Sequence, residues 1–126
     1  MRNSALTTVA PTGSVSMFFD CSSGVEPFFA LAYYKEVMGG EKMPYLNKYL
    51  EQTLRQRGLY SDELLQDIVS TGTIQHRTDL PEDIRQVFVT AMDMSGKDHI
   101  QMQAAFQRHT DNSNSKTINF RNNETR

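Results

Sequence analysis

Residues 6–27, LTTVAPTGSVSMFFDCSSGVEP, decide the fold, because two loops rich in small residues interrupt an otherwise ordinary apolar pattern there. The first loop, APTGSVS at residues 10–16, follows a β-branched run and leads into another apolar segment. A proline fixes the direction of the chain, a glycine lets the backbone approach a ligand, and hydroxyls lie beside free N–H groups at a candidate helix start. The loop is therefore a candidate anion site, although a turn that ends a strand and binds nothing has the same spelling.

The candidate donors all lie within this first loop. The backbone amides of residues 12–15, with the hydroxyls of Thr12, Ser14 and Ser16, are placed to donate to phosphoryl oxygens, and charge-assisted hydrogen bonds are about twice as strong as neutral ones. Gly13 matters because a side chain there would hold a phosphate away from these donors. The predicted phosphate-binding residues are Pro11, Thr12, Gly13, Ser14, Val15 and Ser16.

The apolar pattern around the loops predicts short strands. Residues 6–10 are predicted as a buried strand, and residues 15–19 as either a second strand or the first turn of a helix that begins at the loop. Residues 28–37 form a core segment closed by a Gly-Gly pair; their aromatic residues permit a strand and their alanines permit a helix. Residues 116–120 alternate as a short strand.

Four helices are predicted from apolar residues at three-to-four spacing and from capping signals. The predicted order along the chain is a strand and a loop, then helices, then a strand. This order suits one part of an α/β architecture. The helices are predicted to begin at Pro44, Ser61, Pro81 and Ser95, the first two to end at Gly58 and Gly72, and Asp98 to complete a capping box with Ser95. Their predicted inward residues are Tyr45, Leu46, Tyr49, Leu50, Thr53 and Leu54; Leu64, Leu65, Ile68 and Val69; Ile84, Val87, Phe88 and Ala91; Met102, Ala105 and Phe106.

Size and charge narrow the class of protein. The chain has 126 residues and a net charge of −2, so no basic surface indicates nucleic acid or an anionic membrane as a partner. The chain has one cysteine and shows neither a leader nor a long apolar span, which indicates a reducing cytoplasm, bacterial or that of a phage-infected host. Residues 121–126 are predicted to be a polar tail.

Several segments together carry a resemblance to a known family. RNSALTTVAPTGSVSM at residues 2–17, followed by CSSGVEPFFALAYYKEVMGG, resembles the catalytic subunit of ribonucleotide reductases. Within that family, PTGS followed by CSSGVEP is most similar to the adenosylcobalamin-dependent class. The resemblance continues, in the order and approximate spacing of the family, through GLYSDELLQDIVSTGTIQ, LPEDIRQVFVTAMDMS and HIQMQAAFQRHTDNSNSKTINF.

The resemblance implies a fold and a function. It implies that residues 1–120 are a helix-rich segment of a large α/β barrel with a few short strands. It also implies that the PTGS loop anchors the di- or triphosphate of a ribonucleotide that is reduced through a thiyl radical. The implied cofactor is adenosylcobalamin, held mainly by parts outside this chain, and the implied partner is the rest of the reductase.

The chain also lacks part of the family pattern. The family's radical cysteine lies in an Asn-x-Cys-x-Glu motif that this sequence does not contain, so we expect the chain alone to be inactive. A hydrophobic face made for absent strands would make it prone to aggregate. Two alternatives stay open: a metal-dependent reductase whose radical comes from a second subunit, and a non-catalytic protein that binds nucleotides or is a remnant.

The other chemically reactive residues have simpler interpretations. Cys21, with Ser22 and Ser23, is expected to line or support the site rather than to react, since a lone cysteine is commonly a small buried residue. Glu26, directly before a proline, is expected to fix the exit of the chain from the loop and not to act as a base. Lys116 is expected on the surface or in a salt bridge at the end of the barrel.

The histidines and the two adjacent tyrosines also have simple structural interpretations. The three histidines lack the spacing of metal ligands and have no cluster of carboxylates or thiolates beside them, so no metal site is predicted. They are expected at the surface or on the flanks of helices. The apolar setting of the two adjacent tyrosines favours packing over a radical relay. These residues are His76, His99, His109, Tyr33 and Tyr34.

Overall fold

The computed structural model describes residues 3–36 and 39–120, which form five helices and one sheet of two antiparallel strands. This helix-rich arrangement with short strands confirms the predicted fold class. The predicted tail at 121–126 lies outside the described residues. In chain order the elements are α1 (Gly13–Phe19), β1 (Ala32–Glu36), β2 (Lys42–Leu46), α2 (Lys48–Gln56), α3 (Asp62–Thr71), α4 (Glu82–Val87) and α5 (Gly96–Gln107).

The chain divides into two compact units. One combines Met1–Phe28 with Met94–Arg126 and holds α1 and α5, and the other is Phe29–Asp93 with the remaining elements. That residues 1–120 belong to one domain of a larger barrel stays a prediction. Within the described residues, none of the helices has the length and apolar character needed to cross a bilayer.

The unit Phe29–Asp93 begins with the hairpin of β1 and β2, so the core segment at 28–37 contains a strand. The helix predicted from Pro44 is wrong at its start, because Pro44 lies in β2. A proline is tolerated in such a two-stranded sheet, where each strand has a free edge. Helix α2 begins only after Asn47, whose side chain accepts hydrogen bonds from the two amides at Tyr49 and Leu50, each at 3.1 Å.

The core of this unit confirms most of the predicted helix faces. Tyr49 and Val87 were predicted to point inward but are exposed, and Ala91 is buried beyond the end of α4 rather than within it. Tyr33 packs on Tyr45 with ring centroids 4.8 Å apart, as predicted, at a partly exposed position. The buried cluster consists of Leu31, Ala32, Leu50, Leu54, Leu64, Ile68, Ile74, Leu80 and Ile84.

In the other unit, the strands predicted at residues 6–10 and 116–120 do not form. Residues 6–10 make a single parallel bridge, Val9 with Asn114, and Leu6 is 76% exposed, so the predicted buried strand is wrong. Residues 116–120 pair with no strand among the described residues, so that prediction is wrong as well. A strand needs a neighbouring strand to satisfy its backbone. Here only isolated backbone bonds form, from the Asn112 amide to the Thr7 carbonyl at 3.0 Å and from the Ser115 amide to the Val9 carbonyl at 2.9 Å, and the Thr8 hydroxyl donates to the Ser113 carbonyl at 2.7 Å.

Helix α5 starts as predicted but buries a different face. Ser95 and Asp98 form the predicted capping box. The predicted apolar face is wrong, because Met102 and Phe106 are each 40% exposed and the buried positions are Gly96 and His99. A side chain at Gly96 would overlap the ring of Phe120, so close approach of that ring requires glycine.

Candidate functional site

The first small-residue loop leads into a helix, which decides between the two structures predicted for residues 15–19. Helix α1 follows Thr12, whose backbone is left-handed at φ 51° and ψ 24°. Such a conformation is a clear outlier for a β-branched residue. The Thr12 hydroxyl does not cap the helix; it accepts the backbone N–H of Gly24 at 2.8 Å. The first turn of α1 therefore has no side-chain cap.

Three backbone amides at this loop have no acceptor among the described residues. They are those of Gly13, Ser14 and Val15, whereas the Ser16 amide donates to the Thr12 carbonyl at 2.9 Å. The Ser16 hydroxyl donates to the Gly13 carbonyl at 2.7 Å. Ser16, predicted to contribute a hydroxyl, is thus occupied internally, and three consecutive amides remain available to an anion.

A cleft of about 430 Å³ lies beside this loop. Thr12, Val15 and Ser16 belong to its wall, while the other predicted phosphate-binding residues, Pro11, Gly13 and Ser14, are exposed. Apart from its chain neighbours and the backbone of α1, no atom of the described residues lies within 4 Å of the place where a side chain at Gly13 would begin. The full wall consists of Thr8, Val9, Ala10, Thr12, Val15, Ser16, Cys21, Ser22 and Gly24.

The second small-residue loop supplies one side of the same cleft. Cys21 and Ser22 line it, and the Cys21 thiol, which is exposed, lies 3.9 Å from the Ser16 carbonyl oxygen. Ser23 is not part of the wall; its carbonyl accepts the Glu26 amide at 3.0 Å and so closes a turn. Cys21 and Ser22 are therefore placed beside the first loop, as predicted for residues that line the cleft, whereas Ser23 contributes to a turn.

A second cleft, of about 360 Å³ and mostly apolar, shares Ser22 and Gly24 with the first. One side is formed by His99, which was predicted at the surface or on the flank of a helix. His99 lies in α5 and is 1% exposed, so a surface position is wrong. The Lys116 ammonium donates to His99 Nδ1 at 2.8 Å and to the Thr117 carbonyl at 2.9 Å. An ammonium only donates, so His99 accepts through Nδ1 and carries its proton on Nε2.

The two other histidines are exposed, as predicted. His76 pairs through Nε2 with Asp67 at 2.8 Å, and His109 continues the last turn of α5 through its backbone. Within residues 3–36 and 39–120, no three histidine, cysteine or acidic side chains gather into a group that could hold a metal ion.

The residues that flank the two loops form hydrogen bonds with the segment that follows α5. Thr7 and Asp111 exchange hydrogen bonds, with the Asp111 amide donating to the Thr7 hydroxyl at 2.9 Å. The Ser115 amide donates to the Val9 carbonyl at 2.9 Å. Glu26 Oε1 accepts the Thr117 amide at 2.7 Å. No sequence signal indicated these contacts, because each joins residues about ninety or more positions apart.

The fold and this loop belong to a known class of protein. All of residues 1–126 match the model of the ribonucleotide reductase barrel domain. The chain therefore belongs to the ribonucleotide reductase barrel-domain family, which confirms the resemblance predicted from its motifs.

Its relatives include enzymes named for vitamin B12. The chain is 42% identical over 126 residues, all of its length, to a vitamin B12-dependent ribonucleoside-diphosphate reductase of Thermoplasma acidophilum. It is 37% identical over 119 residues, 94% of its length, to an enzyme of the same name from Mycobacterium tuberculosis. These matches cover 16% and 17% of the two relatives, so the chain spans about one sixth of their length.

A solved structure shares the fold. The chain matches the alpha subunit of the class Id ribonucleotide reductase of Actinobacillus ureae with a TM-score of 0.62 and 27% identity, over 80% of this chain and 18% of that one. A large subunit of a ribonucleoside-diphosphate reductase from vaccinia virus is 33% identical over 120 residues, which are 95% of this chain and 15% of the relative.

The described residues do not fit a cobalamin by themselves. Both clefts are small for a corrin, and the histidine that lines one of them is buried with its Nδ1 engaged by Lys116. We therefore assign no cobalamin contact to the described residues.

Proposed function

We propose that this chain contributes the substrate-phosphate-binding loop of a ribonucleotide reductase, which converts ribonucleoside di- or triphosphates to deoxyribonucleotides by a thiyl-radical mechanism. One observation carries the proposal: the amides of Gly13, Ser14 and Val15 have no acceptor among the described residues and lie in the first turn of α1, beside a cleft. Membership of the reductase barrel family supports it.

The chemistry required of this loop is binding and positioning. Consecutive amides at the start of a helix donate to an anion, and each bond to a charged oxygen is stronger than its neutral equivalent. The exposed Ser14 hydroxyl adds a further donor. Anchoring the phosphates fixes the ribose relative to a reactive group elsewhere in the enzyme, so the loop aids the reaction without any acid or base of its own.

The rest of the reductase is the proposed partner. Helix α1 exposes its apolar side chains to solvent, with Phe18 at 87%, Met17 at 76% and Phe19 at 73%. Patches of this kind mark surfaces that another part of a protein covers. We propose that the remaining reductase chain covers them. That the isolated chain aggregates stays a prediction.

The proposed cofactor of the complete enzyme is adenosylcobalamin, and the proposed compartment is the cytoplasm. The names of the Thermoplasma and Mycobacterium relatives support the cofactor. The class Id and vaccinia relatives favour a second candidate, a reductase whose radical is generated on a separate subunit. Deoxynucleotide formation that requires adenosylcobalamin distinguishes the two.

The binding proposal is tested on the ¹⁵N-labelled chain, titrated with pyrophosphate and with ADP. We expect the amide signals of Gly13, Ser14 and Val15 to shift with both probes. Ser14→Pro removes both the amide and the hydroxyl donor of this residue, while proline remains acceptable in a first turn. Its pyrophosphate Kd should therefore rise at least about tenfold, the equivalent of one charge-assisted bond.

Lys97→Pro is the matched control. Lys97 is the second residue of α5 and follows a glycine, as Ser14 does in α1. The control also removes a positive charge, so a merely electrostatic effect would weaken binding more there than at Ser14. Equal Kd values for the wild-type chain and Ser14→Pro, or no shift at the three amides, would refute the phosphate loop.

A further inference from the structure

The Glu26 carboxylate forms a hydrogen bond with a distant residue that is not part of the proposed phosphate loop. Its Oε1 accepts the backbone N–H of Thr117 at 2.7 Å, across 91 positions of sequence. Glu26 is half-buried and lines the apolar cleft rather than the cleft beside the phosphate loop. It is therefore not placed to touch the anion that the loop would bind.

Glu26 also ends the turn that reaches the phosphate loop. Its amide donates to the Ser23 carbonyl at 3.0 Å, which closes the turn over residues 23–26. Within this turn Gly24 has a positive φ of 49°, and a side chain there would begin 3.4 Å from the Ala10 carbonyl oxygen. The turn thus lies next to the backbone that enters the loop, and the Glu26 carboxylate is bonded to Thr117 at its far end.

Gly24, in the first half of the turn, forms a hydrogen bond with Thr12. The Gly24 amide donates to the Thr12 hydroxyl at 2.8 Å, and Thr12 has the left-handed backbone that a threonine adopts only when its surroundings impose it. The orientation of the three free amides depends on this residue, because Thr12 is the last residue before α1. The bonds run from Thr117 to Glu26, through the turn to Gly24, and from Gly24 to Thr12.

We propose that Glu26 is a positioning residue for phosphate binding: by fixing the turn at residues 23–26, it holds Thr12 in the conformation that presents the amides of α1. This inference rests on the proposed function. The proposal predicts opposite effects on anion binding for the charge of Glu26 and for its hydrogen bond to Thr117. A negative charge near an anion site opposes binding, so removal of Glu26 would strengthen binding if charge alone mattered. Loss of the Thr117 contact should weaken it.

The test compares Glu26→Gln with Glu26→Ala in the full chain, by pyrophosphate titration, thermal unfolding and hydrogen exchange of the Gly24 amide. Glutamine keeps an oxygen acceptor for Thr117 and loses the charge. We expect Glu26→Ala to raise the pyrophosphate Kd about tenfold and to speed exchange at Gly24, while Glu26→Gln stays within about twofold of wild type. Glu41→Ala, which removes an exposed carboxylate elsewhere, should change neither quantity.

A second variant breaks the same set of hydrogen bonds at Thr12 instead of at Glu26. Thr12→Val keeps the β-branched shape and removes the oxygen that Gly24 contacts, so it should weaken binding by a similar factor. The double variant Glu26→Ala with Thr12→Val should be little weaker than either single one, since both break one connected set of bonds. If Glu26→Ala unfolds too readily for titration, Thr117→Pro removes the same contact from its donor side and leaves the Glu26 carboxylate in place. Unchanged pyrophosphate Kd in Thr117→Pro would then overturn the positioning role.

The outcomes separate this inference from the proposed function. Wild-type binding at the three amides with unchanged affinity in Glu26→Ala overturns the positioning role alone. Tighter binding in both Glu26 variants means that only charge matters, and also overturns it. No wild-type binding at all refutes the phosphate loop, and unchanged Gly24 exchange in Glu26→Ala would show in addition that Glu26 does not brace the turn.

Discussion

Gly13 and Gly24 lie around the same loop for opposite physical reasons. At Gly13 the described part of the chain, beyond its neighbours and the backbone of α1, has no atom within 4 Å of the missing side chain, so glycine leaves open space for a ligand. At Gly24 the backbone has a positive φ and packs on the Ala10 carbonyl, so glycine serves the fold. A substitution at Gly13 therefore probes binding, whereas one at Gly24 would mainly disturb the structure.

A charged pair in the unit Phe29–Asp93 predicts a dependence of stability on pH. The Arg77 guanidinium donates two hydrogen bonds to Asp79 and lowers the pKa of this carboxyl from 3.8 to about 2. A carboxylate with a lowered pKa stabilises the folded state above its unfolded pKa, and this contribution is lost as the pH falls through the folded value. Asp79→Asn should therefore flatten the decline in the urea midpoint between about pH 4 and pH 2.

The measurement is best made at low salt, because Asp79 is exposed and Arg77 is partly exposed, so salt screens the pair. Glu41→Gln, an exposed carboxylate in the same unit, serves as the control. Parallel urea midpoints for wild type and Asp79→Asn over this range would contradict the prediction.

At the scale of elements, helix caps determine where the chain changes direction. Asn47 is 4% exposed and ends β2 by capping α2 through two backbone amides. Loss of such a cap leaves buried donors without an acceptor. We expect Asn47→Ala to lower the free energy of unfolding by about 1–2 kcal/mol, measured by urea denaturation. Gln52→Ala, at an exposed position of the same helix, should change it by less than about 0.5 kcal/mol, and an equal loss in both variants would argue against the cap.

Elements with local signals were predicted from the sequence. Ser61 caps α3 and Gly72 ends it with a φ of 78°, as predicted, because both signals act within one helical turn. The capping box of α5 was predicted for the same reason. Start and stop signals of helices therefore needed no knowledge of the remainder of the chain.

Elements that depend on distant partners were predicted poorly. Residues 6–10 have the composition of a strand, but a strand exists only where another backbone pairs with it, and here a single bridge to Asn114 forms. His99 is buried because Lys116, which follows the end of the helix, supplies a donor. The loop residues of the candidate site could be predicted from composition, whereas the left-handed backbone of Thr12 and the Glu26 contact had no signal in the sequence.

At the scale of the whole molecule, the proposed function predicts the behaviour of a chimaera. The segment of the Thermoplasma acidophilum enzyme that matches this chain, 16% of its length, would be replaced by residues 1–126. We expect the chimaera to form deoxynucleotide from a ribonucleoside diphosphate with adenosylcobalamin and a dithiol present. Gly13→Val in the chimaera should raise KM about tenfold with a smaller change in kcat, because uniform binding is lost.

The chimaera also has a clear control. Ala104→Val places the same branched side chain at an exposed position of α5 in the same unit, and it should leave KM unchanged. A folded chimaera without product, or one in which Gly13→Val leaves KM unaltered, would contradict the proposed role.

Selection for stability and selection for nucleotide binding should favour different residues at position 12. Its left-handed backbone costs a β-branched residue about 1–3 kcal/mol, which glycine or asparagine would largely recover. Only threonine or serine, however, keeps a hydroxyl for the Gly24 amide. A saturation library at this codon should consequently enrich glycine and asparagine when sorted for thermal resistance, and threonine and serine when sorted for nucleotide capture.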